Sequence, residues 1–426
     1  MGKDKLHEAI LILAGIAILL ATSCKKEETF EPIGRKSPFT SYGMPTLWID
    51  TEDGVAISSK FETVPCTIKL TEDGDDEDVI LTQSARIRGR GNATWWWDYP
   101  KRPYKIKLDK AQSLCGMPSN RDWALLALYS DHTLMRESFM TCIASKLDMP
   151  YQIRQEYVRV VLNGQENGVY VLSETVENAK NRIDVKSDGF IIEKDNHAEN
   201  ESVVFYSGNG HCFTFKYPDN GDIDNGDLNY TYIKDFIDSF ENALYGSDFK
   251  DPDKGYRKYI EPRSFAKWYL LQEISDNWEP NPFYVLQTRG ALLEAGPTWD
   301  AEWSFGLSRQ DQNGWMTPPA QPDPESGHWH QTTYLRNLFE DPYFVDIVRE
   351  EWSKLKPKLQ QVHEEMATLA ESLDAAQKYN FKLYPILGTV PELGLVCFGN
   401  WKDEVAYADD YLTKHAAWFD SWIAEK

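Results

Sequence analysis

The chain has 426 residues with a formal net charge of −22, and 42% of its residues are hydrophobic. This length and apolar content exclude a disordered protein, and they suffice for one large two-lobed domain or for two smaller domains. The acidic charge argues against general binding to nucleic-acid phosphates, which would repel the protein at long range. A polytopic membrane protein is also excluded, since only one apolar stretch approaches spanning length.

The first 24 residues have the organisation of a lipoprotein signal peptide. Two lysines precede the apolar run 9–21, and Cys24 follows small residues at the position where a lipid would be attached. An N-terminal membrane anchor is the alternative, although the run is short for a spanning helix. The next four residues, Lys-Lys-Glu-Glu, resemble the export tag of surface lipoproteins. We therefore expect an exported lipoprotein of the outer membrane, exposed at the cell surface.

After a predicted polar tether over residues 25–44, the pattern is strand-like over a lead-in segment, 45–83, and strands continue beyond it. Asn163-Gly164 between two apolar runs predicts a hairpin. Helical spacing predicts helices at 134–147, 232–244, 262–274, 341–355, 357–376 and 403–424. This order predicts an α+β fold with a strand-rich N-terminal lobe, a helical C-terminal lobe and a cleft between them.

A basic segment stands out in this acidic chain, with seven cations in the 22 residues 86–107. Gly89 and Gly91 allow the backbone to approach a ligand closely. In an extended strand, Lys105 and Lys107 point to the same face. This combination suits an anionic ligand, above all phosphates. A basic, solvated sheet face remains an equal alternative on spacing alone.

Two acidic segments lie among aromatic residues, at 273–281 and 296–306. Carboxylates and amides that converge from two loops can bind Mg²⁺, which usually takes one or two carboxylates together with phosphate oxygens. Asp300 lies between Trp299 and Trp303, and an ionised group seldom lies among bulky apolar residues without a partner. The alternative is that these acids form turns and surface charges.

Two histidines, His328 and His330, flank a single tryptophan and could bind zinc from a strand. The sequence offers no apparent third ligand, so the pair is predicted to be incidental. A metal-dependent hydrolase built on these histidines and the nearby acids is a further alternative function.

Several motifs, taken in chain order, resemble the spore-coat CotH kinase family. They run from about residue 84 to beyond 350 and comprise RGRGNATW, KRPYKIKLDK, NRDWALLALYSDHTLMRESF, VVLNGQENGVYVLSE, GFIIEKD and GPTWDAEWSFG. The resemblance implies an atypical, bilobal protein-kinase-like domain over 84–426, with an N-lobe at 84–215 and a C-lobe at 216–426. It also implies phosphoryl transfer from ATP to Ser or Thr of a protein acceptor, with Mg²⁺ or Mn²⁺.

The resemblance also implies roles for individual residues. Asp300 would be a catalytic, metal-binding aspartate, with Asn277 and Glu302 as further metal ligands. Glu279 would lie near the acceptor hydroxyl, and the segment 189–195 would connect the lobes and meet the adenine. The implied nucleotide-binding residues are Arg88, Arg90, Lys101, Lys105, Lys107 and Glu193.

Two positions depart from the family pattern, because Glu279 and Glu302 stand where many members have aspartate. Glutamate is one methylene longer, and a displacement of ~1 Å at a catalytic group can cost on the order of a hundredfold in rate. The alternative function is therefore a catalytically weak or inactive surface lipoprotein, which acts as a ligand-binding or assembly module. In that case the aromatic-rich cleft would bind a carbohydrate or a protein.

Overall fold

The computed structural model describes residues 43–73, 78–97, 99–195, 198, 201–219, 221–277, 280, 282–308, 329–392, 394 and 396–426, with only the backbone for 329–333. The strands are β1 (Thr46–Thr51), β2 (Val64–Thr71), β3 (Val79–Gly89), β4 (Tyr104–Gln112), β5 (Asn120–Leu126), β6 (Gln155–Leu162), β7 (Gln165–Glu174), β8 (Phe190–Lys194), β9 (Val204–Tyr206), β10 (Cys212–Tyr217), β11 (Phe283–Leu286) and β12 (Leu293–Ala295). The helices are α1 (Ala93–Trp96), α2 (Arg136–Lys146), α3 (Leu228–Tyr245), α4 (Pro262–Ser275), α5 (Trp329–Leu338), α6 (Pro342–Leu355), α7 (Leu359–Leu383) and α8 (Trp401–Ala424).

The first seven strands close into a barrel in the order β1-β2-β3-β4-β5-β7-β6. The strands pair antiparallel except at the closure, where β1 runs parallel to β6 and Leu47 lies opposite Val160. Alternation along β4 places Ile106 inside the barrel and Lys105 and Lys107 outside it, as the sequence predicted. The lead-in segment 45–83 supplies β1, β2 and the start of β3. It therefore belongs to the same closed sheet as the strands that follow.

A second, antiparallel sheet has the order β12-β11-β8-β10-β9. It packs with the helices around the larger of the two main cores, and α4 is buried along most of its length. The predicted α+β class is therefore confirmed. The sequence analysis did not place β11 and β12, which lie between helices. β11 pairs with β8, a strand almost 100 residues earlier, and β12 pairs with β11.

The predicted helices and the hairpin are present, with α7 reaching Leu383 instead of 376. Asn163 and Gly164 have φ of 50° and 69°, the left-handed values that a tight hairpin between β6 and β7 requires. Aspartate side chains cap α3 and α6, where Asp227 accepts from Tyr230 N and Asp341 from Tyr343 N. Among the helices of the described ranges, none is both long and apolar enough to cross a membrane.

Candidate active site

A cavity of about 670 Å³ lies where the barrel meets the second sheet. That volume is in the range typical of small-molecule sites. Its cationic lining residues are Lys60, Arg88, Arg90, Lys101, Lys105 and Lys216. Its acidic lining residues are Glu137, Glu193, Asp195, Glu201, Asp300 and Glu302. Aromatic rings fill much of the remaining wall: Phe61, Trp96, Trp97, Tyr99, Tyr129, Trp299 and Trp303.

The basic wall is formed by the end of β3 and the glycine bend that follows it. Arg90 lies with its guanidinium carbon 5.2 Å from the ring centroid of Trp299. Burial lowers the pKa of Arg90, and the nearby carboxylates of Asp300 and Glu137 oppose that shift. Gly89 is required here, because a Cβ at this position would lie 2.4 Å from the ring of Trp95.

The three implied lysines occupy different environments. Lys105 lines the cavity and forms an ion pair with Asp122 at 3.0 Å. Lys107 lies outside the cavity lining: its side chain is 55% exposed, and its ammonium lies 3.8 Å from the same Asp122. Lys107 follows Lys105 by two residues on β4, on the same face of the strand. Lys101 lines the cavity, but its ammonium donates to Val169 O and, over 2.9 Å, to Asn380 Oδ1.

The acidic wall brings together Glu137, Asp300 and Glu302. Burial, followed by repulsion from Asp300, raises the pKa of Glu137 to about 7 and that of Glu302 to about 8. Burial also raises the pKa of Asp300, against the attraction of Arg90. Three neighbouring carboxyl groups therefore resist ionisation together, and either protons or a cation would relieve the repulsion.

Asp300 occupies a strained turn, with φ of +67°. Such a conformation is uncommon outside glycine and often occurs at functional sites. The backbone carbonyl of Asp300 accepts from Asn277 Nδ2 over 3.2 Å. Asn277, which the resemblance implied as a metal ligand, is fully buried after α4 and does not line the cavity.

Strands β8 and β10 contribute a further part of the cavity wall. Glu193 forms an ion pair with Lys216 at 2.8 Å, and Asp195 and Glu201 lie nearby. Burial raises the pKa of Glu193, and the attraction of Lys216 opposes that shift. The predicted interlobe segment 189–195 thus reaches the cavity through its last residues.

Among the charged lining residues, sequence reasoning missed Glu137, Glu201, Lys60 and Lys216. Glu137 carries the clearest signal, since it is an acid in the first turn of a helix whose apolar residues have helical spacing, directly after Arg136. Lys60 comes from the lead-in segment, and its ammonium donates to Gly91 O over 3.0 Å and to Asn92 Oδ1 over 2.7 Å. No local pattern links it to the glycine bend 31 residues later.

Several predicted positions lie outside the described residues. These are Cys24, Glu279, His328 and the side chain of His330. Within the described ranges, no three histidine, cysteine, aspartate or glutamate side chains are grouped so as to hold a metal ion. A metal at Asp300 and Glu302 would therefore complete its coordination with other oxygen ligands, such as those of water or of a bound phosphate.

The family assignment rests on residues 85–419, which match the family model described as CotH kinase protein. This match covers more than three quarters of the chain. The chain belongs to the CotH kinase protein family. A search of the curated proteins found no match. The resemblance carried by the ordered sequence motifs is therefore confirmed at the level of the family.

Proposed function

We propose that this CotH family member transfers a phosphoryl group from ATP to Ser or Thr of a protein acceptor, with Mg²⁺ or Mn²⁺. The observation that carries the proposal is that Arg88 and Arg90 line the same cavity as Asp300 and Glu302. Phosphoryl transfer needs this pairing, because cations must neutralise phosphate oxygens while carboxylates hold the metal that bridges them.

The acidic wall supports the proposal of a bound divalent cation. Burial raises the pKa values of Glu137, Asp300 and Glu302, and repulsion from Asp300 adds to the shift for Glu137 and Glu302. A cation bound between Asp300 and Glu302 would favour their ionised forms and would supply charge neutralisation to the bound phosphates. The glutamate at 302 keeps this capacity, since glutamate also ligates Mg²⁺.

The remaining roles follow from charge and position. Arg88, Arg90 and Lys105 would bind and orient the phosphates. Glu279 would accept or orient the proton of the acceptor hydroxyl as that oxygen attacks phosphorus and ADP leaves. We also propose that the barrel and the helical part act as the two lobes of a kinase-like fold, with the nucleotide between them. Glu193 and Asp195 would then contact the nucleoside end.

The direct test uses purified residues 25–426 with γ-labelled ATP, with Mg²⁺ or Mn²⁺, and with a panel of protein acceptors. We expect label in an acceptor or in the protein itself, and Asp300→Ala should abolish it. Asp248→Ala is the matched control, because that aspartate is 65% exposed and pairs only loosely with Lys254 at 3.9 Å. Absence of transfer by the wild type across a wide metal screen would refute the catalytic proposal.

A non-catalytic binding or assembly module is the second candidate. Two large rings at the cavity, Phe61 and Trp96, are 63% and 57% exposed, and exposed aromatic rings often mark binding surfaces. Thermal-shift titration separates the two functions. Stabilisation by ATP that requires metal favours the kinase, whereas stabilisation by glycans or proteins alone favours the module.

We further propose export and lipid attachment at Cys24, on the basis of the signal sequence alone. Lipidation would hold the protein on the outer membrane, with residues 25–44 as a tether. Metabolic labelling with a fatty acid should mark the wild type and leave Cys24→Ser unlabelled. Protease accessibility on intact cells would then distinguish surface exposure from a periplasmic orientation.

A further inference from the structure

A fully buried ion pair lies beside the cavity without lining it. Arg136, the first residue of α2, places one terminal guanidinium nitrogen 2.5 Å from Asp131 Oδ1, and both side chains are completely inaccessible. A buried pair gains little net stability, because desolvation offsets most of its attraction. The contacts of this pair reach the turn that carries Glu302 of the acidic wall.

Asp131 organises the loop that precedes α2. Its Oδ1 accepts from Thr133 N over 2.9 Å and from Thr133 Oγ1 over 2.6 Å, while its Oδ2 accepts from Arg136 N over 2.9 Å. The carboxylate therefore fixes both the loop and the start of the helix. The orientation of the Arg136 side chain is fixed by the same group.

Arg136 connects this loop to the turn that carries the cavity carboxylates. Its Nε donates to Ser304 O over 2.8 Å while its terminal nitrogen contacts Asp131. A planar guanidinium makes both contacts at a fixed spacing, which the single ammonium of lysine cannot do. One rigid group thus joins the loop to the turn.

Two further contacts flank this link. Ser130 N donates to Glu302 Oε1 over 2.8 Å, and Glu137 Oε1 accepts from Ala301 N over 2.7 Å. The segment 130–137 therefore holds the turn 301–304 at three successive points. Of these three contacts, only the one from Arg136 to Ser304 O does not use a carboxylate that lines the cavity.

We propose that Asp131 and Arg136 are a positioning pair. The pair fixes the turn 301–304 so that Asp300, directly before this turn, and Glu302 can share a divalent cation. The metal-binding part rests on the proposed function, whereas the fixing of the turn does not. Groups that orient metal ligands from behind typically change metal affinity by about 10- to 100-fold when they are replaced. A purely structural pair would change stability alone.

The test compares Arg136→Lys with Arg159→Lys. Arg159 is an equally buried arginine, its Nε donates to Glu166 Oε2 over 3.1 Å, and it does not line the cavity. Each variant is titrated with Mn²⁺ at constant ATP in a thermal-shift assay. We expect the Mn²⁺ concentration for half-maximal stabilisation to rise about 10- to 100-fold in Arg136→Lys, and to stay within about twofold in Arg159→Lys. Equal behaviour of the two variants would overturn the proposal.

Hydrogen–deuterium exchange keeps the inference testable if the wild type does not respond to Mn²⁺. That result would count against the proposed function, while exchange over 300–306 would still report on the turn. We expect faster exchange there in Arg136→Lys than in Arg159→Lys. Unchanged exchange would overturn the positioning role. If Arg136→Lys does not fold, Thr133→Val removes one contact to Asp131 and should shift both readouts in the same direction by less.

Discussion

Glu137 Oε1 accepts a hydrogen bond from the backbone N–H of Ala301 over 2.7 Å. This contact joins the first turn of α2 to the turn that carries Asp300. It also holds a third carboxyl group beside Asp300 and Glu302. Burial raises the pKa values of all three, and repulsion from Asp300 adds to the shift for Glu137 and Glu302. The site therefore holds buried carboxyl groups close together, and binding of protons or of a cation would reduce the electrostatic cost of this arrangement.

The first prediction concerns stability without metal. In the folded state, the raised pKa values of Glu137 and Glu302 keep both carboxyl groups protonated at pH values where they would ionise in the unfolded chain. The stability that this difference contributes is fully present below about pH 4.5, and it is lost as pH rises through about 7 for Glu137 and about 8 for Glu302. In EDTA, the wild type should therefore lose stability between pH 5.5 and 8.5. Glu302→Gln should lose less, by on the order of 1–3 kcal/mol at pH 8.5.

Urea unfolding at several pH values measures this difference. Asp248→Asn is the control, since its side chain is 65% exposed and does not line the cavity. Parallel curves for wild type and Glu302→Gln would contradict the raised pKa of this group.

The second prediction concerns metal binding. Because Glu302 and Glu137 must release protons before they can interact with a cation, stabilisation by Mn²⁺ with ATP should increase from pH 6 to pH 8. A ligand at 100 times its dissociation constant stabilises by about 2.7 kcal/mol. Thermal shifts at fixed ligand concentration give the measurement. Asp300→Ala should remove the increase, and a shift that declines toward pH 8 would count against a carboxylate site.

The local elements could be predicted because each depends on neighbouring residues. The alternation of Lys105 and Lys107 with Ile106 gave the correct outward face of β4, and the Asn163-Gly164 turn gave the hairpin. The family motifs brought Arg88 and Asp300 into one proposed site, and both line the cavity.

The remaining features depend on contacts between distant parts of the chain. The parallel pairing of β1 with β6 closes the barrel across more than 100 residues, and no local pattern encodes it. For the same reason Lys60 was missed at the glycine bend. Lys107 was expected at the phosphates because strand alternation gives the face of a side chain, while its position along the strand relative to the cavity depends on the tertiary fold.

The third prediction tests the glycine bend. A Cβ at position 89 would lie 2.4 Å from the Trp95 ring, so Gly89→Ala must displace that ring or the bend. We expect a loss of about 1–3 kcal/mol in the free energy of unfolding, as for overpacking elsewhere, together with weaker ATP binding. Gly208→Ala is the control, because the atom nearest to a Cβ there, Asp238 Oδ1, would lie at an ordinary 3.7 Å. Equal stability of the two variants would show that Trp95 yields without cost.

The fourth prediction concerns the contact between α7 and the barrel. Asn380 Oδ1 accepts from Lys101 Nζ over 2.9 Å and from Val169 N over 3.2 Å. Asn380→Ala removes an acceptor shared by two buried donors, so we expect a loss of about 1–3 kcal/mol in stability. Gln360→Ala, at an exposed position of the same helix, should cost much less.

The loss in Asn380→Ala should also depend on pH. Burial lowers the pKa of Lys101 to about 7, so the buried group is an ammonium at pH 6 and largely a neutral amine at pH 9. An ammonium needs its acceptors more than an amine does, because an uncompensated buried charge is costly. Asn380→Ala should therefore lose more stability, relative to wild type, at pH 6 than at pH 9. Unfolding experiments at both pH values measure this, and a deficit that is larger at pH 9 would show that the Lys101 charge is not what Asn380 stabilises.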